Sequence, residues 1–111
     1  MTDKAQTEAI RDLNDKFRRE LQGGTLMLTA GIIALGAEAQ AHIIAAVQVF
    51  DSFTPDNDPY GEHDFGSVEV DGEKIFFKFD YYDLNCAMHS DDPADSSKTE
   101  RVLTIMLSSE Y

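Results

Sequence analysis

The stretch that decides the fold runs Phe65-Gly66-Ser67-Val68-Glu69-Val70-Asp71-Gly72-Glu73-Lys74-Ile75-Phe76-Phe77-Lys78-Phe79-Asp80-Tyr81-Tyr82. Asp-Gly is a favoured two-residue hairpin turn, and β-branched and aromatic residues flank it on both sides. Pairing across Asp71-Gly72 sets Val68 opposite Ile75 and Glu69 opposite Lys74. The period of two then sends Ile75, Phe77, Phe79 and Tyr81 to one face and Lys74, Lys78 and Asp80 to the other. The Glu69/Lys74 pair helps to fix the register by about 0.2–1 kcal/mol. A hairpin with one apolar face needs a cover, and the flanking sequence offers helices for it.

Upstream, residues 5–21 read as an amphipathic helix. Ile10, Leu13, Phe17 and Leu21 recur at helical spacing, charged residues fill the other face, and Gly23-Gly24 ends the element. Thr25 to Thr29 is a short β-type run, and Ile32 to Leu35 either continues it or leads into the next helix. A second, Ala-rich helix spans Ala37 to Asp51, with Ile43, Val47 and Phe50 as its stripe and Ile44 beside them. Pro55 and Pro59 make residues 52–64 a loop.

Downstream, Asp83 to Asp95 is a second polar loop. Val102 to Leu107 is apolar nearly all round, which fits a buried helix or a central strand. A helix over 97–109 is favoured here, because Asp95 or Ser96 can cap it and Lys98, Glu100 and Arg101 lead in. The order α-β-α-β-β-α predicts a single two-layer α+β domain over residues 1–111, with a small antiparallel sheet covered by helices on one face. Met27 and Met106 sit in apolar runs and are expected to fill the core.

Charge excludes several functions. The chain has 111 residues, 9 Lys plus Arg and 21 Asp plus Glu, for a net charge of −12. Nucleic-acid binding and attraction to anionic membranes both run on basic residues, so neither is expected. No run of apolar residues is long enough to span a bilayer. Met1-Thr2-Asp3-Lys4 does not read as a signal peptide, and Cys86 is the only cysteine, so a cytoplasmic setting is expected. The charge is uneven: residues 24–73 carry nine acidic residues and no Lys or Arg, whereas residues 1–23 carry five of each sign.

Chemistry is concentrated in the loop Asp56-Asn57-Asp58-Pro59-Tyr60-Gly61-Glu62-His63-Asp64. As a calcium loop it matches at Asp56, Asp58 and Gly61, then fails at Tyr60 and at Ser67, where a bidentate Glu is required. His63 and Asp64 could join Asp83, Cys86 or His89 as a metal-dependent or acid/base site, but no HxH, HxxxH or CxxC spacing supports it. The alternative is that His63 and Asp64 hydrogen-bond the loop backbone and each other. There is no activated nucleophile and no phosphate cradle, so neither cofactor nor metal is expected. One of Tyr81 and Tyr82 goes to the core and the other outwards.

Phe53 to Gly66, containing NDPYGEHDFG, resembles the signature of a small, mostly proteobacterial domain family of unknown function. The resemblance extends from about Leu13 to Tyr111 through Asp80-Tyr81-Tyr82-Asp83, Asp92-Pro93 and Arg101 to Leu107. It implies a setting on plasmids and other mobile elements, and it supplies no catalytic residues. Lys16 to Arg19 and the Ala-rich helix lie outside the motifs. Together with the acidic middle, this setting predicts a protein-binding accessory factor, monomeric or homodimeric. Its expected partner has a basic surface, such as a CRISPR or restriction protein met by a DNA-mimicking face. The expected contact residues are Asp56, Asp58, Tyr60, Glu62, His63, Asp64, Glu69, Tyr82 and Asp83. A small enzyme centred on His63 and Asp64, or a structural and dimerisation domain, are the alternatives.

Overall fold

The hairpin forms as read. In a computed structural model that describes residues 4–111, β2 (Phe65–Val70) pairs antiparallel with β3 (Glu73–Tyr82), with Val68 opposite Ile75 and Glu69 opposite Lys74. Asp71 and Gly72 have φ of 53° and 82°, the pair of positive angles that lets a two-residue turn follow the strand twist. Ile75, Phe77, Phe79 and Tyr81 are buried on one face. Tyr82 points to the other face and stays exposed. Met1 to Asp3, the start of the segment read above for a signal peptide, lie outside the described residues.

The last element departs from expectation. Residues 97–109 are not a helix: Glu100–Leu107 is strand β4, followed by a 3-10 turn at Ser108–Glu110. β4 lies at the centre of the sheet, whose order is β1-β4-β3-β2. It pairs antiparallel with β3 and parallel with β1 (Thr25–Leu28). Val102 and Met106 are buried on one face, and Arg101, Leu103 and Ile105 on the other. Burial on both faces removes the alternation that marks a half-buried strand, so the run looks apolar all round. The expected cap is real but local: Asp95 accepts from the Ser97 backbone N–H at 2.9 Å and hydroxyl at 2.6 Å, which makes a turn rather than a helix start. The parallel β1–β4 pairing also makes the sheet mixed rather than antiparallel.

Three helices cover one face. α1 (Lys4–Glu20) and α3 (Ala37–Val49) flank a short α2 (Ala30–Ala34), which takes up the Ile32 region that the sequence left open between strand and helix. Ile10 and Phe17 of α1, Ile32 of α2, and Ile43 and Val47 of α3 meet the inner residues of β3 and β4. Gly66 is required here by close approach: a Cβ would come within 2.3 Å of the Phe77 ring. The outer face has no helix. Tyr111 reaches over part of it, with its ring 5.6 Å from both Phe65 and Phe76. Met106 is buried as expected, but Met27 is 52% exposed on the outer face of an edge strand and fills no core.

Candidate functional site

The stripe that α1 buries is not wholly apolar. Ile10, Asn14, Phe17 and Arg18 are its buried residues, spaced by four, three and one, whereas Leu13 is only half-buried. Asn14 and Arg18 therefore enter the interior one turn apart, and each organises a polar network beneath the loop motif.

Arg18 is fully buried. One guanidinium nitrogen donates to the carbonyls of Val47 at 3.0 Å, Gln48 at 3.2 Å and Phe50 at 2.6 Å. These carbonyls close the C-terminal end of α3, where unpaired carbonyls attract a cation; that of Val47 also accepts the Phe50 N–H at 3.3 Å. The other terminal nitrogen pairs with Asp15 at 3.0 Å. The guanidinium also lies 5.4 Å from the Phe53 ring centroid.

Asp15 carries the network on to the loop. His63 Nδ1 lies 2.9 and 3.1 Å from the two Asp15 oxygens. The carboxylate oxygens accept in this pair, so the Nδ1 hydrogen points at Asp15. Nε2 faces the buried carboxylate of Asp58 at 3.6 Å, and Asp58 also accepts the His63 backbone N–H at 3.2 Å. The imidazole stacks on Phe53, with centroids 3.8 Å apart and planes 4° apart. His63 holds this place with φ of 55°, a left-handed conformation that is uncommon outside glycine.

The second network starts at Asn14. Its amide donates to the Glu62 carbonyl at 3.0 Å and to the Tyr81 hydroxyl at 2.8 Å, and its oxygen accepts from Arg101 Nε at 2.7 Å. Tyr81 donates to Glu62 Oε1 at 3.0 Å. Burial pushes the Tyr81 phenol far above its ordinary range, so it stays a donor at neutral pH.

Of the residues expected to share a site, Asp58, Glu62 and His63 are drawn together onto α1. Asp64 is half-buried beside them, and its backbone carbonyl accepts from the Phe79 N–H at 2.9 Å. His63 therefore bonds Asp15 and faces Asp58, while no hydrogen bond joins it to the Asp64 carboxylate among the described residues. Asp56, Tyr60 and Glu69 are exposed. Asp83 belongs elsewhere: its side chain accepts from the backbone of Asn85 at 3.1 Å and Ala87 at 3.0 Å and shapes its own loop. Among the described residues no group of three or more His, Cys, Asp or Glu is arranged to hold a metal, so the suggested gathering of His63 and Asp64 with Asp83, Cys86 or His89 does not form. Asn14, Asp15, Arg18, Phe53 and Arg101 were not singled out by the sequence. The signal for two of them was present, since Ile10, Asn14, Phe17 and Arg18 fit a helical face once polar residues are admitted to it.

The imidazole has the orienting half of an acid/base site, a carboxylate on Nδ1. Its Nε2 faces a second carboxylate, Asp58, so the ring bridges the loop and α1.

Two carboxyls in this region are raised. Burial lifts Asp64 above its ordinary 3.8, and the nearby Asp58 and Asp80 add to the effect. Burial likewise lifts Glu62 above 4.5, partly offset by the Tyr81 hydrogen bond. Such a group binds its proton more tightly in the folded than in the unfolded chain. Stability therefore falls as pH rises from the ordinary value through the raised one. Asp64→Asn is accordingly expected to be more stable than the parent at about pH 7 and to match it near pH 3. Urea midpoints at the two pH values check this, and an equal effect at both would contradict it.

A one-faced α+β domain, with its loop motif tied through a partly buried histidine and two buried arginines, is the class of protein defined here. The chain belongs to the family described as Protein of unknown function (DUF3768), whose model matches residues 28–110. The match takes in the loop motif and all of β2 to β4, while α1 lies outside it. Comparison with curated proteins and with solved structures finds no match. No helix among the described residues is long and apolar enough to cross a membrane.

Proposed function

We propose that this chain is a small protein-binding factor that offers an acidic face to a partner with a basic surface. Nucleic-acid-binding defence proteins, such as restriction and CRISPR effectors, are the partner class whose grooves would accept such a face as a DNA mimic. The observation that carries the reading is the division of the nine acidic residues of 24–73. Asp58, Glu62 and Asp64 are taken up around the His63 network, whereas Glu38, Asp51, Asp56, Glu69, Asp71 and Glu73 remain exposed with no Lys or Arg between them in sequence. Three of the exposed six stand at the hairpin tip, where a rigid turn holds carboxylates in fixed positions, as phosphate mimicry requires. Tyr60, 74% exposed beside Asp58, adds an aromatic anchor of the kind that concentrates binding energy.

The test is binding to purified restriction and Cas effectors across a salt series. The triple variant Glu69→Gln, Asp71→Asn, Glu73→Gln should weaken binding by about tenfold or more and flatten its salt dependence. Asp71→Asn suits the turn, because Asn-Gly is as favoured there as Asp-Gly. Absence of binding to any basic partner at low salt would end the proposal. The structural alternative also has an observation in its favour, since Asp58, Glu62 and His63 hold the loop onto α1.

A further inference from the structure

We propose that the groove between α1 and the segment entering β4 binds a small oxyanion, carboxylate or phosphate. The groove has a volume of about 320 Å³ and is lined by Leu13, Lys16, Phe17, Glu20, Ser96 and Arg101 among others. Arg101 is 2% exposed, and both of its hydrogen-bond acceptors are uncharged. Nε donates to the Asn14 side-chain oxygen at 2.7 Å, and one terminal nitrogen donates to the Pro93 carbonyl at 2.6 Å. The guanidinium lies 5.2 Å from the Tyr81 ring centroid.

No carboxylate lies within 4.0 Å of Arg101 among the described residues, in contrast to Arg18, which has Asp15. The remaining Arg101 nitrogen has no acceptor among the described residues. It is not sealed from solvent either, because the sole buried side-chain atom without a partner among them is Arg18 Nε. Glu62 attracts the Arg101 charge from beyond ion-pair distance, so burial is only partly compensated, and a ligand that brings an oxyanion into contact recovers more of its cost. Arg guanidinium groups bind carboxylate and phosphate oxygens with charge-assisted hydrogen bonds.

The rest of the groove is consistent with this. Lys16 makes no ion pair among the described residues, and the Ser96 hydroxyl has no partner there. The groove opens on α1, in a stretch whose charges balance, five of each sign over 1–23, in contrast to the wholly acidic 24–73. Glu20 is the one carboxylate among its lining residues and opposes an anion. The site shares no residue with the acidic face proposed above and stands or falls independently of it.

The test is an amide-resolved NMR titration of the whole chain with inorganic phosphate and, separately, with acetate, at constant ionic strength against chloride. Saturable shifts at Gly23 and Ser96 with a Kd of about 1 mM or tighter are expected from at least one of the two. Phosphate alone, or both, identifies the ligand chemistry. Lys16→Gln should weaken binding by about fivefold and Glu20→Gln should tighten it by a similar factor. Glu38→Gln, the same charge change on exposed α3, should leave it unchanged. All three positions are exposed, so folding is preserved and confirmed by melting. No saturable shift with either anion, or an equal response to Glu20→Gln and Glu38→Gln, would overturn the proposal.

Discussion

Arg18→Met is expected to lower stability by about 3–5 kcal/mol, the usual cost of removing one partner from a buried charge pair. Methionine fills much of the same volume, so the loss comes from polar groups rather than from a void. The carbonyls of Gln48 and Phe50 lose the Arg18 donor, that of Val47 keeps only the Phe50 N–H, and Asp15 keeps only His63 as a partner among the described residues. The double variant Arg18→Met, Asp15→Asn should lose less than the sum of the single changes, because neutralising Asp15 removes the charge that Arg18→Met strands. Urea unfolding with an unchanged m-value reads both effects. A loss below about 1 kcal/mol would mean that α3 does not depend on this cation at its C-terminus.

The second large effect is expected at Phe77. It is fully buried at the centre of β3, its ring lies 5.3 Å from Phe50 and 6.4 Å from Phe53, and the Arg18 guanidinium is 6.0 Å away. Phe77→Ala should cost about 3–5 kcal/mol through lost burial and the cavity left behind. The chain then approaches the limit of a domain whose total stability is about 5–15 kcal/mol. Because Gly66 abuts the same ring, Gly66→Ala should be destabilising by overpacking in the parent and less so in Phe77→Ala. Chemical denaturation of the three variants gives the coupling directly. Additive losses would show that the Gly66 backbone and the Phe77 ring do not restrict each other.

The contrast between these positions explains what the sequence made legible. The hairpin could be read to the residue, because alternation and the Asp71-Gly72 turn are both local signals. α3 was legible for the same reason, through Ile43 and Val47. β4 was not, since a central strand covered on both faces loses its alternation, and its pairing with β1 joins distant parts of the chain. The loop motif stood out as the densest polar segment, and Asp58, Glu62 and His63 do converge. Their partners Asn14, Asp15 and Arg18 were hidden, because a search for an apolar stripe passes over polar residues on the buried face. Arg101 was read as a helix lead-in for want of any local sign that its side chain turns inward.

The position of β4 also constrains how the protein is made. Thr25 pairs with Val102 and Tyr82 with Glu100, so the central strand joins two edges synthesised well before it. Until residue 107 has left the ribosome, β1 has no neighbour and the β2–β3 hairpin has a bare flank. Isolated hairpins are marginal in water. At roughly 5–20 residues per second the nascent chain spends several seconds with those edges open. Closure of the sheet thus waits for β4 itself, and a chaperone that shields strand edges would act in that interval.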